Sequence, residues 1–240
     1  MAMIYEKEYD LRTSDFDRRT KLTPAAILDL FQCVAGLHAE ELGIGRAVML
    51  EKQLLWVVVR VKLEILAEVP FNSTVKVKTW PLPAARATFQ REYQILSKTG
   101  ELLVKGSSEW VLMHSERRRL VPIREVYPDS ESFCTDKNFE GKFAKLADFE
   151  PLGEGVTMKA QYTDIDMNNH VNNTKYVNFV LNAVEPQERD IRFVQIDYSK
   201  EVQPDTPFVL HALCEEDTVR AKGVGDTGDK LFACTVEFTK

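Results

Sequence analysis

Between residues 53 and 113, four stretches that alternate apolar and polar residues follow one another with short breaks, and they constrain the fold more than anything else in the chain. The stretch QLLWVVVRVKLEIL (53–66) sets Val59, Val61, Leu63 and Ile65 against Arg60, Lys62 and Glu64. A period of two puts alternate side chains on one face of a strand, so the apolar set turns to a core and the charged set to water. The turn PFNS precedes a second alternating run, Thr74–Trp80. Thr88–Leu96 and Leu102–Met113 follow, separated by a hairpin signal at Lys98-Thr99-Gly100. Strands this close together build an antiparallel sheet, because parallel neighbours need long crossovers.

One helix precedes these strands. Thr23 suits an N-cap and Pro24 the first helical position. Ile27, Leu30, Phe31, Val34 and His38 share one face at helical spacing, and Gly43 marks the stop. Ala25, Ala26, Ala35, Gly36 and Ala39 flank that stripe, a small apolar surface suited to being wrapped by a sheet. The order then recurs. Asn172 or Asn173 caps a helix reaching about Val184, with Tyr176, Val177, Val180, Leu181 and Val184 on one face. Strands follow at Ile191–Tyr198, Pro207–Leu213, Thr218–Val224 and Lys230–Phe238. Aligning Val69-Pro70 on Gln203-Pro204 sets Ala67 opposite Glu201. The pattern predicts an α+β chain of two fused units: an N-terminal unit over 1–130, a polar, turn-rich linker over 131–150 and a C-terminal unit over 151–240.

Composition excludes several classes. The 240 residues are 44% hydrophobic and 10% aromatic, enough apolar surface for a core. The longest apolar run, Leu54–Val59, is far too short for a membrane span, and MAMIYEKEYDLR carries no apolar signal segment. Cys33, Cys134, Cys214 and Cys234 are scattered without metal or disulfide spacing, which points to reduced thiols in the cytoplasm. A net charge of −6 argues against a nucleic-acid partner but leaves room for a local basic patch.

The densest polar cluster is T-D-I-D-M-N-N-H-V-N-N, from Thr163 to Asn173. Read alone, it is a polar loop with asparagine caps. A calcium loop fails, since Asn169 stands where glycine is needed and Lys175 where the bidentate glutamate is needed. Zinc lacks further His or Cys ligands nearby.

The stretch DIDMNNHVNNTKYVNFVL closely resembles the signature of the fatty acyl-ACP thioesterases. FQCVAGLHAEELG, LLWVVVRVKLEI and EWVLMHSERRRL are similar to further segments of that family, in the same order, over most of residues 5–240. The resemblance implies a tandem, or double, hotdog of bacterial type: two units, each an antiparallel sheet wrapped around a long helix. It implies hydrolysis of the thioester of fatty acyl-acyl carrier protein, with acyl-CoA hydrolysis or non-catalytic acyl binding as alternatives. Asp166, Asn168 and His170 match the family's catalytic residues, and Glu201 in DYSKEV matches its catalytic glutamate. The family often has cysteine next, as a proposed nucleophile; here it is Val202, which removes a thiol mechanism at that position.

These residue types suit the chemistry. A carboxylate such as Glu201 accepts a proton from attacking water, Asn168 and backbone N–H groups at a helix N-terminus hold the oxyanion, and His170 positions the water or shares the proton, while Asp166 orients His170. No cofactor or metal is called for. The first unit has no Asp-x-Asn-x-His, so catalysis is expected in the C-terminal unit and acyl-chain housing in the N-terminal unit. The expected partner is acyl carrier protein carrying its chain on phosphopantetheine, with Arg117, Arg118, Arg119 and Arg124 as the basic cluster for that acidic protein. A homodimer is compatible with this reading. His38, His114 and His211 are expected to be packing or surface residues, and Trp56, Trp80 and Trp110 core residues.

Overall fold

A computed structural model of the chain describes residues 4–85, 87–127 and 133–239; the first residues of the expected linker, 131–132, lie outside these. The chain divides into two units, Met1–Phe143 and Ala144–Lys240, with the division inside the expected linker.

In the first unit, Thr23 caps helix α1 (Pro24–Glu41) by accepting the Ala26 N–H, and Gly43 follows the helix with φ +70°. Ile27, Phe31, Val34 and His38 are buried. The sheet comprises β1 (Tyr5–Asp10), β2 (Leu54–Ile65), β3 (Thr74–Pro81), β4 (Phe89–Leu96) and β5 (Leu102–His114). Its order is β1-β3-β4-β5-β2, antiparallel throughout, with the two-residue β6 (Leu120–Val121) on β5. The helix rests against the sheet because Gly106 of β5 has no side chain: a Cβ there would stand 2.2 Å from the Phe31 ring. Phe31 in turn stacks on Tyr93 at 4.5 Å between centroids. A short helix, α2 (Arg46–Glu51), follows α1.

The alternation expected along β2 slips by one residue. Val58, Val61 and Leu63 are buried and Val59 is not, because the pairing with β5 shifts between Val58 and Arg60. A bulge there inserts Val59 as an extra residue and reverses the facing of what precedes it.

The second unit repeats the plan. A three-residue 3₁₀ turn, Asn173–Lys175, capped by the Asn172 side chain on Thr174 N–H, leads into α3 (Tyr176–Val184). That helix has 9 residues against 18 in α1 and ends at Val184, as expected. The strands are β7 (Val156–Met158), β8 (Ile191–Tyr198), β9 (Phe208–Cys214), β10 (Thr218–Val224) and β11 (Lys230–Phe238). Their order is β7-β9-β10-β11-β8, antiparallel, the same order as in the first unit strand for strand. Gly223 of β10 makes room within the sheet itself: a Cβ on it would meet the ring of Phe232, its pairing partner on β11, at 2.3 Å. The sequence reading missed the strand that opens each unit. YEKEYD is a charged edge strand and VTM has three residues, so neither presents a long apolar face.

Residues 133–149 have no regular structure but are pinned to their own units. Glu92 is buried and accepts Ser107 Oγ and the Asn138 N–H, while Asn138 donates to the Tyr93 and Gly106 carbonyls. Lys62 and Lys105 lie over the Phe139 ring. On the second unit, Gln195 donates to the Ala144 carbonyl, buried Asp197 accepts the Leu146 N–H, and Lys222 holds Phe149. The stretch read as a linker is thus two straps. Among the described residues no helix is long and apolar enough to cross a membrane.

Candidate active site

Asp166, Asn168 and His170 stand on one tight loop between a 3₁₀ turn (Tyr162–Asp164) and the Asn173–Lys175 turn. Ile165 and Val171 bridge its base, Asn169 N–H reaches the Asp166 carbonyl, and Asp166 N–H reaches the His170 carbonyl at 2.8 Å. Asn169 takes φ +61°, a left-handed conformation that asparagine tolerates better than most residues. The Asp166 carboxylate accepts the N–H groups of Asn168 at 2.8 Å and His170 at 3.3 Å, and the Asn168 side-chain amide at 3.3 Å. Its contact with His170 is thus to the loop backbone, through the His170 N–H.

Glu201 follows β8, in the segment Ser199–Val202. The Ser199 and Lys200 N–H groups both bond to the Leu231 carbonyl, and Val202 is buried. His170 Nε2 lies 3.7 Å from Glu201 Oε2, with both side chains half-buried. All four expected residues thus lie in the second unit, and the structure brings the imidazole and the glutamate together directly.

Three backbone donors at the helix start already have partners within the chain. Asn172 N–H bonds to the Asp164 carbonyl, Thr174 N–H to Asn172 Oδ1 and Lys175 N–H to the Asn172 carbonyl. Cys33 and Cys214 are exposed, Cys234 is buried with its thiol pushed up by desolvation, and all four cysteines are free. No group of three or more His, Cys, Asp or Glu side chains suited to a metal ion occurs among the described residues.

The first unit contains the same loop with other side chains. Asp17 Oδ1 accepts the N–H groups of Arg19 and Lys21 at 2.8 and 2.9 Å; Asp17 N–H reaches the Lys21 carbonyl, and Thr20 has φ +60°. Phe16 and Leu22 bridge its base as Ile165 and Val171 do. Arg19 and Lys21 stand where the second unit has Asn168 and His170, and Lys21 Nζ pairs with Glu68 at 2.9 Å. Glu68, followed by buried Val69, holds the station of Glu201, followed by buried Val202. The alignment that set Ala67 there is off by one, because it ignored the residue between Val202 and Pro204 that the first unit lacks. The signal was present in the sequence: Ser14-Asp15-Phe16-Asp17 against Thr163-Asp164-Ile165-Asp166.

Comparison with known proteins agrees with this duplication. The model of the acyl-ACP thioesterase N-terminal domain matches residues 2–129, and that of the C-terminal domain matches residues 153–238. The chain is 26% identical over 225 residues to an oleoyl-acyl carrier protein thioesterase of Arabidopsis thaliana, covering 85% of this chain and 62% of that protein. It is 29% identical over 244 residues to a palmitoyl-acyl carrier protein thioesterase of Gossypium hirsutum, covering 94% of this chain and 59% of that one. It thus spans roughly three fifths of the length of these relatives. An acyl-ACP thioesterase from Bacteroides thetaiotaomicron shares the fold at a TM-score of 0.85 and 22% identity, covering 99% of this chain and 98% of that one. A 12:0-ACP thioesterase from Umbellularia californica matches at the same TM-score of 0.85 and 22% identity, covering 100% and 98%. Two hotdog units in tandem, matched end to end by both domain models, mean that the chain belongs to the acyl-ACP thioesterase family.

Proposed function

We propose that this chain hydrolyses the thioester between a fatty acyl chain and acyl carrier protein in the cytoplasm, releasing free fatty acid and ending chain elongation. The observation that carries this reading is the approach of His170 Nε2 to Glu201 Oε2 at 3.7 Å, beside the loop that holds Asn168. That separation is too long for a direct hydrogen bond and suits a water bound to both groups. Glu201 takes a proton from this water as its oxygen bonds to the carbonyl carbon, a role worth ~10²–10⁴ in rate. The carbonyl π pair moves to oxygen, where the Asn168 amide stabilises it; one such donor is worth ~10²–10³. Collapse breaks the C–S bond, and the proton held by Glu201 passes through His170 to the leaving thiolate. Water is thus divided between the acid and the thiol, with no acyl-enzyme.

In this reading residues 151–240 carry the chemistry and residues 1–130 house the acyl chain. The buried small residues Ala25, Ala26 and Ala35 of α1 support the second assignment. Acyl carrier protein is acidic, and the exposed Arg117, Arg118 and Arg119 on the β5–β6 turn are suited to meet it. A panel of acyl-ACP and acyl-CoA thioesters of varied chain length tests the reading. We expect acyl-ACP to be hydrolysed with the higher kcat/KM; turnover of acyl-CoA alone, or of neither, contradicts it.

A further inference from the structure

The two segments that meet at His170 and Glu201 are joined by a pair of tyrosines. Tyr176, at the start of α3, places its phenol oxygen 3.1 Å from the Val202 N–H, which donates to it. Tyr198, the last residue of β8, donates its phenol to the Asn173 carbonyl at 2.8 Å. Each tyrosine thus reaches from its own segment to the other: Tyr176 from the loop-and-helix side to the residue after Glu201, and Tyr198 from the strand that leads to Glu201 back to the loop. Their rings meet edge to face at 5.1 Å, and Phe232 holds Tyr176 from a further direction at 5.1 Å. Such contacts between aromatic rings fix ring orientation as well as burying area. Burial, with the Glu201 and Asp166 carboxylates near, pushes the Tyr176 phenol up to about 12, so it stays neutral at working pH.

The first unit supplies the internal control. Counting from the aspartate of each loop, the residue at the station of Tyr176 is Ile27; counting back from the glutamate, the residue at the station of Tyr198 is Ile65. The same loop and strand order form there without either hydroxyl. The fold therefore does not demand phenols at these stations, and they occur in the unit that holds His170 and Glu201.

We propose that Tyr176 and Tyr198 act as a reciprocal clamp that fixes Glu201 against His170, and so are positioning residues for thioester hydrolysis. This rests on the reading of Glu201 and His170 as the hydrolytic pair. A displacement of about 1 Å in a reacting group can cost on the order of 10²-fold in rate, so losing either phenol bond lowers turnover without removing any group that touches substrate.

The test uses Tyr176→Phe and Tyr198→Phe in the full chain, each alone and combined with Glu201→Gln, with steady-state hydrolysis of acyl-ACP and thermal melts. We expect each single Phe variant to lower kcat by ~10–100-fold with KM changed less than about threefold. In the Glu201→Gln background the same change should cost less than about threefold, because the clamp acts through the group already removed. Equal fold losses in both backgrounds, or a kcat within about threefold of the parent for both Phe variants, overturn the clamp and leave the tyrosines as packing residues. Should Tyr176→Phe fail to fold, Tyr198→Phe decides by the same criteria. Near-normal turnover by Glu201→Gln itself overturns the hydrolytic pair, and the clamp with it.

Discussion

Asp166 directs the candidate site without touching the imidazole: its carboxylate collects two backbone N–H groups and one amide, and the loop carries His170 to Glu201. A direct-water mechanism needs no thiol, so a chain with all four cysteines replaced by Ser or Ala, once shown to be folded, is expected to keep kcat within about threefold. Loss of turnover in that folded variant, with acyl-enzyme trapped in the parent, would contradict it. A second residue-scale expectation concerns His38, buried on α1, whose Nδ1 accepts from the buried Arg91 guanidinium at 3.0 Å while Tyr5 stacks on its ring. Burial, and then the Arg91 charge, lower its pKa from 6.5 to about 4. The unfolded chain therefore takes up this proton first. Stability from neutral His38 is complete above pH 6.5 and is lost as pH falls towards 4. We expect a loss of about 2 kcal/mol over that window, discounted for solvent screening, and a flatter profile for His38→Gln in urea melts at several pH values. Parallel profiles for the two proteins would remove His38 as the cause.

At the scale of elements, one loop has been built twice with different side chains, and the two copies differ in strain. Asn169 and Thr20 occupy the same left-handed position, at φ +61° and +60°. A β-branched residue is disfavoured there, whereas asparagine is tolerated. Thr20→Asn is expected to stabilise the chain by about 0.5–1 kcal/mol, read as a higher urea midpoint at unchanged slope; a lower midpoint would mean that Thr20 makes a compensating contact. Much of this scale was legible beforehand. The Thr23-Pro24 cap and the four-strand runs needed only local period and capping chemistry, and the structure places them where the sequence put them; the Asp166–His170 stretch read alone as a polar loop and was singled out only by its family resemblance. The β2 bulge at Val59 was not legible, because it is decided by the partner strand. The roles of Tyr176 and Tyr198 were hidden for a related reason. Periodicity places Tyr176 on an apolar face, but the partner of its hydroxyl lies on a distant segment.

For the whole molecule, the proposed acidic carrier must be reconciled with a net charge of −6. The Arg117–Arg119 turn, fixed by the His114 N–H on the Arg119 carbonyl, is the candidate for doing so. Charge reversal of these three residues to Glu is expected to raise KM for acyl-ACP about tenfold, leave kcat nearly unchanged, and barely affect a small acyl thioester. Equal weakening of both substrates would make the turn structural. The central claim is that a duplicated fold carries one hydrolytic site, in the unit that holds His170 and Glu201, while the other unit closes the same positions with Lys21 and Glu68. The most direct measurement is the rate of free fatty acid release from acyl-ACP by folded Glu201→Gln beside the parent. A fall in kcat of ~10²–10⁴ is expected, and a Glu201→Gln enzyme that turns over at close to the parent rate would contradict the single hydrolytic site.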